Sequence, residues 1–202
     1  QFYFLLHLNV VYKKMRITRS IAHRILKLFQ PSMYRLNKDG KGKRLSNTRV
    51  SNTTHLGSFE SLILGDNVFI GHYNMIDASN GINIGEGCQL TNYISVLTHS
   101  SHIAIRLYGE EYTQQKELKA YFSDSVEIGK YTFVGPHSVI MPGARIGKGS
   151  LISAYSYVKG EFEDFAVIAG NPAKKVGDTR DIDQKYLEQY PELKPFYQAW
   201  AQ

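Results

Sequence analysis

Three features are scarce in this sequence of 202 residues: cysteine, long apolar runs and, over the first 50 residues, acidic side chains. The single cysteine, Cys88, cannot form a disulfide within the chain, so nothing in the sequence indicates an oxidising compartment. Residues 1–12 are apolar, but a helix that spans a bilayer needs roughly 20 such residues. This stretch also lacks a small-residue cleavage site, and we expect neither a spanning helix nor a secretory signal there.

The scarcity of acids divides the chain by charge. Residues 1–50 contain 12 of the 24 lysines and arginines and one acid, Asp39, whereas residues 51–202 contain 12 basic and 17 acidic residues. The net charge is therefore near +11 in the first segment and near −5 in the second. A basic segment attached to an acidic body is typical of proteins that contact an anionic surface.

The basic segment also contains a helical pattern. Four aliphatic residues recur at helical spacing, with arginine and lysine between them: Ile17, Ile21, Ile25 and Leu28. This pattern predicts a basic amphipathic helix. The helix would either pack on the body or a neighbouring subunit, or lie on an anionic membrane through residues 1–30. We expect no nucleic-acid contact, because the acidic body offers no basic groove and no nucleic-acid motif is present.

A period of six dominates the middle of the chain. Six aliphatic residues follow one another six positions apart: Ile128, Val134, Ile140, Ile146, Ile152 and Val158. The same spacing occurs upstream with one shift of two residues: Leu64, Ile70, Ile76, Ile84, Leu90 and Val96. Glycine follows several of these positions, as at Gly85, which suits corners where two backbones approach closely. A period of six predicts a three-sided coil of short strands with the aliphatic side chains inside.

The hexapeptides, their interruption at residues 100–125 and the sequence AGNPAK at residues 169–174 resemble the hexapeptide-repeat acyltransferases. The likeness covers about residues 60–177 and is greatest to the branch with maltose, galactoside and Nod-factor acetyltransferases and the O-acetyltransferases of bacterial polysaccharides. It implies an all-β, left-handed parallel β-helix that assembles as a homotrimer with active sites between subunits. It also implies acetyl transfer from acetyl-CoA to a hydroxyl or an amine.

The sequence divides accordingly into three parts. We predict a basic, partly helical arm (residues 1–50), with a loop at residues 37–44, followed by a β-helix domain (residues 51–177) with an extruded loop at residues 100–125. Residues 178–202 are predicted to form a helical tail that shields the last coil.

Two histidines begin the interruption and are the candidate general bases. His99 and His102 stand where the family's base histidine follows the last regular coil of the first repeat block. An imidazole titrates near pH ~6.5 and can take the proton of a sugar hydroxyl at neutral pH. The family's spacing to a downstream arginine, here Arg106, favours His99, whereas counting from Gly85 places the base between the two histidines. Both therefore remain candidates.

The resemblance also indicates residues for the two substrates. For coenzyme A it points to late-coil backbone, and nearby lysines could meet the phosphates: Gly135, Pro136, Ser153, Ala154, Lys159, Lys174 and Lys175. For a glycan acceptor we consider Asn92, Arg106 and Tyr108, although the asparagine and the lysines also fit purely structural roles. The chain departs from the family's small residues at Ser153 and Tyr155, which leaves the shape of the channel mouth open.

Three functions fit these patterns. The first is an acetyl-CoA-dependent O-acetyltransferase that modifies a sugar hydroxyl of a cell-surface polysaccharide or its lipid-linked precursor, at the cytoplasmic face of the membrane; a small sugar or an antibiotic is an alternative acceptor. The second is a zinc enzyme of the γ-carbonic-anhydrase type, for which His72, His99, His102 and His137 would supply imidazoles. Its uninterrupted ligand spacing is missing, so we expect no metal. The third is a non-catalytic scaffold.

Overall fold

The computed structural model of the chain describes residues 30–202. The amphipathic helix predicted within residues 1–29, and most of the predicted membrane contact of residues 1–30, lie outside the described residues. The chain divides into two units between residues 32 and 33, and the architecture below is that of residues 33–202. None of the helices within residues 30–202 combines the length and the apolar character needed to cross a bilayer.

Residues 33–202 form the left-handed parallel β-helix that the period of six predicts. The chain runs repeatedly through three sheets. Sheet 1 contains eight strands: β1 (Met33–Arg35), β2 (Arg49–Ser51), β5 (Phe69–Ile70), β8 (Gln89–Leu90), β13 (Phe133–Val134), β16 (Leu151–Ile152), β19 (Ala166–Gly170) and β20 (Ala173–Asp178). Sheet 2 contains five: β3 (His55–Gly57), β6 (Met75–Asp77), β9 (Ser95–Val96), β14 (Val139–Ile140) and β17 (Tyr157–Val158). Sheet 3 contains five: β4 (Leu62–Leu64), β7 (Ile82–Ile84), β12 (Val126–Ile128), β15 (Arg145–Ile146) and β18 (Glu161–Phe162).

The remaining elements lie in the interruption and in the tail. A two-stranded sheet joins β10 (His99–Ser100) to β11 (Phe122–Ser123). The α-helices are α1 (Ala104–Tyr108), α2 (Thr179–Gln189) and α3 (Lys194–Ala201). Short 3-10 helices occur at Phe59–Ser61, Gly109–Gln114 and Pro191–Leu193.

The aliphatic residues of the period form the core as ladders. Val96, Ile140 and Val158 lie directly opposite one another in β9, β14 and β17, and all three are fully buried. Leu90 and Ile152 pair with Val134 in the same way in sheet 1. Each rung stacks the same apolar position on its neighbour, so burial of these side chains fixes the register of every coil.

Tight corners connect the sheets, and their sequences explain the glycines. We call the turns from sheet 1 to sheet 2, from sheet 2 to sheet 3 and from sheet 3 to sheet 1 the first, second and third corners. At the third corner a Cβ atom on Gly85 would lie 2.5 Å from the Lys130 backbone nitrogen of the next coil, so no larger residue fits. The close approach predicted for Gly85 is therefore confirmed.

The first coil begins earlier than the sequence analysis predicts. Strands β1 and β2 pair antiparallel, and Val50 of β2 lies directly opposite Ile70 of β5. Leu45 and Val50 belong to the buried core, so a boundary at residue 50 lies too far along the chain. The predicted loop at residues 37–44 is the turn between β1 and β2, where Lys38 bridges Arg44. The boundary is misplaced because residues 33–50 lack the six-residue spacing and contain many cations, like the segment that precedes them.

The tail is helical, as predicted, but its helices cover the third corner instead of the end of the last coil. Strand β20 pairs antiparallel with β19 and covers the edge of this last parallel strand of sheet 1. The side chain of Trp200 in α3 packs instead on rings of the third corner, 4.5 Å from Tyr131 and 5.9 Å from Phe165 between ring centroids. The last strand is thus protected by a hairpin, and the helices cover the third corner.

Candidate active site

The interruption leaves the β-helix at the second corner without disturbing the coils on either side. The chain departs through β10 and returns through β11, with His99 opposite Ser123. Strand β12 resumes sheet 3 directly opposite β7, and β14 resumes sheet 2 opposite β9. The antiparallel pair therefore fixes His99 at a rigid junction between the solenoid and the extruded loop.

His99 contacts a partly buried carboxylate of the coil beneath it. Its Nδ1 lies 2.7 Å from Oδ2 of Asp77 and 3.2 Å from Oγ of Ser79. The Asp77 side chain is 18% exposed, and its Oδ2 accepts no hydrogen bond from residues 30–202, so the contact with His99 is a short ion-pair distance rather than an aligned hydrogen bond. A carboxylate beside Nδ1 favours the tautomer that carries its proton there, which leaves Nε2 as a proton acceptor. The His99 side chain is 42% exposed and can be reached from solvent.

An aromatic ring of the loop completes the surroundings of His99. The Tyr121 ring stacks on the imidazole, with centroids 5.8 Å apart and planes 11° from parallel. Burial raises the pKa of the Tyr121 hydroxyl, and Tyr112 and Asp77 raise it further. Tyr121 is therefore neutral at physiological pH, and its ring restricts the rotation of the imidazole.

Asp77, Ser79 and Tyr121 are functional candidates that the sequence analysis missed. The detectable signal is the shift of two residues between Ile76 and Ile84, because the longer turn contains Ser79. Its hydroxyl also lies 3.1 Å from the Thr98 hydroxyl, directly before His99. The irregular spacing thus occurs in the coil on which the candidate base rests.

His102 has different surroundings. Its Nδ1 lies 2.8 Å from the Ser100 hydroxyl, and its ring stacks on Phe122 with centroids 5.3 Å apart. Within the described part of the chain it forms no ion pair. The structure therefore places both predicted histidines at the second corner, but only His99 beside an acid.

The three predicted acceptor residues are not brought together. Arg106 Nη1 donates to the His102 carbonyl oxygen, and the Tyr108 hydroxyl accepts from the Lys119 backbone nitrogen at 3.1 Å. Both side chains thus maintain the shape of the loop. Asn92 lies at the first corner, where its Oδ1 accepts from the backbone nitrogen of His72 at 2.7 Å.

The backbone positions predicted for coenzyme A lie together at the first corner, in two consecutive coils. A Cβ atom on Gly135 would be 2.5 Å from the Ala154 nitrogen, so this surface stays flat at Gly135. Pro136 accepts a hydrogen bond from the Tyr155 nitrogen at 2.9 Å, and the Ser153 carbonyl accepts one from the Ser156 hydroxyl at 2.7 Å. Tyr155 projects beyond them and is 70% exposed.

The first corner also carries a continuous stack of rings. Successive coils contribute Tyr73, Tyr93, His137 and Tyr155, each with a positive φ near 60°. Their centroids are 5.2, 4.8 and 4.8 Å apart and their planes are within 12° of parallel. His137 lies between Tyr93 and Tyr155 and is thus a corner side chain of this stack.

The three predicted phosphate-binding lysines are dispersed. Lys159 lies at the second corner, whereas Lys174 and Lys175 lie on β20. Lys175 forms an ion pair with Glu163, and its Nζ is 4.0 Å from Asp178. Lys159 and Lys174 are exposed and form no ion pair within residues 30–202.

The four histidines considered for zinc are divided between two corners. His72 and His137 lie at the first corner, and His99 and His102 at the second. Within residues 30–202 no three histidine, cysteine, aspartate or glutamate side chains converge on a common point. Cys88 is fully buried, and burial raises the pKa of its thiol to about 12, so it has the apolar role that its place in the repeat predicts.

Residues 125–160 match the family model "Bacterial transferase hexapeptide (six repeats)". The carnitine operon protein CaiE of Proteus sp. (strain LE138) is 31% identical over 140 residues, 62% of this chain and 62% of CaiE. The dTDP-4-amino-4,6-dideoxy-D-glucose acyltransferase of Escherichia coli is 26% identical over 169 residues, 74% of this chain and 86% of the relative. The putative lipopolysaccharide biosynthesis O-acetyl transferase WbbJ of E. coli (strain K12) is 26% identical over 116 residues, 56% and 58% of the two chains.

The fold also occurs in solved structures. A variant of AntD, an N-acyltransferase from Bacillus cereus in complex with dTDP and coenzyme A, superimposes with a TM-score of 0.55 at 19% identity, covering 72% of this chain and 90% of AntD. At that identity the likeness concerns the fold alone.

Proposed function

We propose that this chain, which matches the bacterial transferase hexapeptide model over residues 125–160, is an acetyl-CoA-dependent acyltransferase with His99 as general base. The contact between His99 Nδ1 and the partly buried carboxylate of Asp77, at 2.7 Å, is the observation that carries the proposal. It gives the exposed imidazole an acidic neighbour, whereas Nδ1 of His102 lies beside a serine hydroxyl.

The proposed reaction is a direct acyl transfer. Nε2 of His99 takes the proton of the acceptor hydroxyl while the acceptor oxygen attacks the thioester carbon of acetyl-CoA. The tetrahedral intermediate collapses, the carbon–sulfur bond breaks, and the imidazolium returns the proton to the thiolate of coenzyme A. Asp77 stabilises the imidazolium that exists between these two steps.

The location of the predicted groups supports a site shared by two subunits. The histidines lie at the second corner and the backbone predicted for coenzyme A lies at the first, at opposite ends of the strands of sheet 2. A second copy that presents its first corner to the second corner of its neighbour would bring the two sets together. A closed ring of three copies, as the resemblance implies, would form three equivalent sites.

The first prediction tests the base. His99→Ala should lower kcat at least 100-fold, since general-base catalysis contributes about 10²–10⁴-fold, and should leave the affinity for coenzyme A unchanged. Release of the coenzyme A thiol measures turnover, and calorimetry measures coenzyme A binding. His55→Ala is the control, because it removes another exposed imidazole, at the start of β3. A full loss in His102→Ala with normal turnover in His99→Ala would assign the base to His102.

The acceptor that we propose is a sugar hydroxyl of a cell-surface polysaccharide or its lipid-linked precursor. The likeness to a putative lipopolysaccharide O-acetyltransferase supports it, as do the aromatic side chains of the loop, which suit stacking on sugar rings. A second candidate is the amine of a nucleotide-linked amino sugar, because the relative with that acceptor matches 74% of this chain. Turnover with matched hydroxyl and amino sugars, free and nucleotide-linked, distinguishes the two.

A further inference from the structure

A cationic surface lies away from the proposed active site, on the hairpin formed by β1, β2 and their connecting turn (residues 33–51, the basic hairpin). The hairpin carries six exposed cations: Arg35, Lys38, Lys41, Lys43, Arg44 and Arg49. None of the six forms an ion pair with another described residue. This charge is therefore available to a partner.

The register of the hairpin places like charges against each other. Arg35 lies directly opposite Arg49, and Lys38 bridges Arg44. Like charges directly opposite each other on neighbouring strands destabilise the pair. The cations of each pair therefore repel each other and lower the stability of the chain without a ligand. An anion bound between the cations would remove this repulsion.

The two acids close to these cations in the fold, Asp39 and Asp66, accept hydrogen bonds from backbone nitrogens. Asp39 is buried, and its Oδ1 accepts from the backbone nitrogens of Lys41 and Lys43 at 3.0 and 2.9 Å. The Asp66 carboxylate accepts from the backbone nitrogens of Ser46 and Asn47 at 2.8–3.0 Å. Both carboxylates hold turns in place, and neither pairs with an arginine.

Two of the arginines share a pocket. Arg35 and Arg49 line a surface cavity of about 330 Å³ together with Asn47 and Asn67. The Arg49 guanidinium lies 5.4 Å from the centroid of the Phe69 ring, which restricts its position. Two guanidinium groups and two carboxamides supply many N–H donors in one place, which is the arrangement that binds phosphate oxygens.

We propose that the basic hairpin binds anionic phospholipids, with Arg35 and Arg49 contacting a headgroup phosphate. Charge complementarity favours a phosphate-bearing surface, and residues 1–29, which precede the hairpin in the chain, add six more cations and an apolar stretch at residues 1–12. The remaining acidic body opposes a long polyanion such as RNA, which would extend beyond the hairpin. The proposal does not depend on the acyltransferase activity.

The test measures vesicle binding of the full chain. Vesicles of phosphatidylcholine with phosphatidylglycerol should bind the protein, pure phosphatidylcholine should not, and added salt should weaken binding. Each cation near an anionic membrane contributes about fivefold, so Arg35→Gln with Arg49→Gln should lower the partition coefficient about 25-fold. Lys38→Gln with Arg44→Gln should act similarly and keeps the test valid if the first pair fails to fold. Both pairs should hold or raise Tm, because each relieves a like-charge contact.

A charge-matched control separates the hairpin from net charge. Lys185→Gln with Lys194→Gln removes two exposed cations of the tail, outside the hairpin, and should leave binding unchanged. Unchanged binding of both hairpin variants, or an equal loss in the control, would overturn the proposal. Tight binding of single-stranded RNA without vesicle binding would overturn it as well.

Discussion

At the scale of single residues, the position of Asp77 distinguishes the two candidate histidines. A base must present one nitrogen to the acceptor while the other is held, and the carboxylate 2.7 Å from Nδ1 holds His99 in this way. Asp77 is a positioning residue in the proposed mechanism, because it acts through the imidazole rather than on the substrates.

We expect Asp77→Asn to lower kcat about 10–100-fold, since a small misplacement of a catalytic group costs up to about 10²-fold. The KM for acetyl-CoA should not change, because Asp77 acts through the imidazole and makes no predicted contact with the acyl donor. Steady-state kinetics over both substrates measure the two parameters. Asp164→Asn, an exposed carboxylate of a later coil, is the matched control. A rise in KM with unchanged kcat would contradict the positioning role.

The sequence predicts these residues unequally. His99 is predictable because it stands directly before the break in the period. Asp77 and Ser79 lie about 20 residues earlier and reach His99 only through the stacking of coils. Ile76 pairs with Val96, so one coil here spans 20 residues, and that length places Ser79 beneath His99. Side-chain orientation, which decides whether Asp77 faces the imidazole, is not encoded in the spacing.

At the scale of elements, one carboxylate joins the first coil to the second. Asp66 at the third corner accepts from the backbone nitrogens of Ser46 and Asn47 and from the Thr48 hydroxyl. These hydrogen bonds, the one from Asn47 above all, lower the pKa of Asp66 from 3.8 to about 2. Asp66 thus holds the segment just before β2, the second strand of the basic hairpin, against the second coil.

This lowered pKa predicts how stability changes with acid. A carboxylate whose pKa is lower in the folded state stabilises it above the unfolded value of 3.8, and that contribution disappears as the pH falls through about 2. Asp66→Asn should therefore lower the free energy of unfolding above pH ~4 and match the wild type near pH ~2. Denaturant unfolding across this range measures the difference, with Asp181→Asn as an exposed control. A difference that does not vary with pH would contradict the assignment.

The sheets themselves follow closely from the sequence. Stacked coils repeat one apolar position, so a one-dimensional spacing is enough to predict ladders such as that of Val96, Ile140 and Val158. The first coil could not be predicted from the period of six, because its core residues Leu45 and Val50 are five residues apart and lie among cations. Strand β20 could not be predicted in this way either, because an antiparallel hairpin strand does not follow the period of six.

At the scale of the whole molecule, the division of the site between two corners predicts complementation between subunits. His99→Ala disables the second corner, and Ala154→Trp fills the exposed first corner without removing a core contact. Neither variant should be active alone. In every trimer that contains both variants, about one site in three should combine two intact corners, because such a ring has a single junction between an intact second corner and an intact first corner.

Co-expression with two affinity tags supplies the mixed assemblies. Tandem purification selects assemblies that contain both variants, and thiol release measures their turnover against wild-type protein. Recovered turnover supports a shared site. Its absence in verified mixed assemblies would mean that one chain contains both halves of the site.

The antiparallel pair of β10 and β11 has a consequence for how such a molecule can change. Because His99 is opposite Ser123 where the loop leaves and returns, the residues between them add no rung to the solenoid. Their number and sequence can vary without shifting a single core contact of the coils. If the chain is the acyltransferase proposed above, new acceptor preferences can thus be acquired by exchanging one surface segment, while the coils proposed to bind the acyl donor stay unchanged.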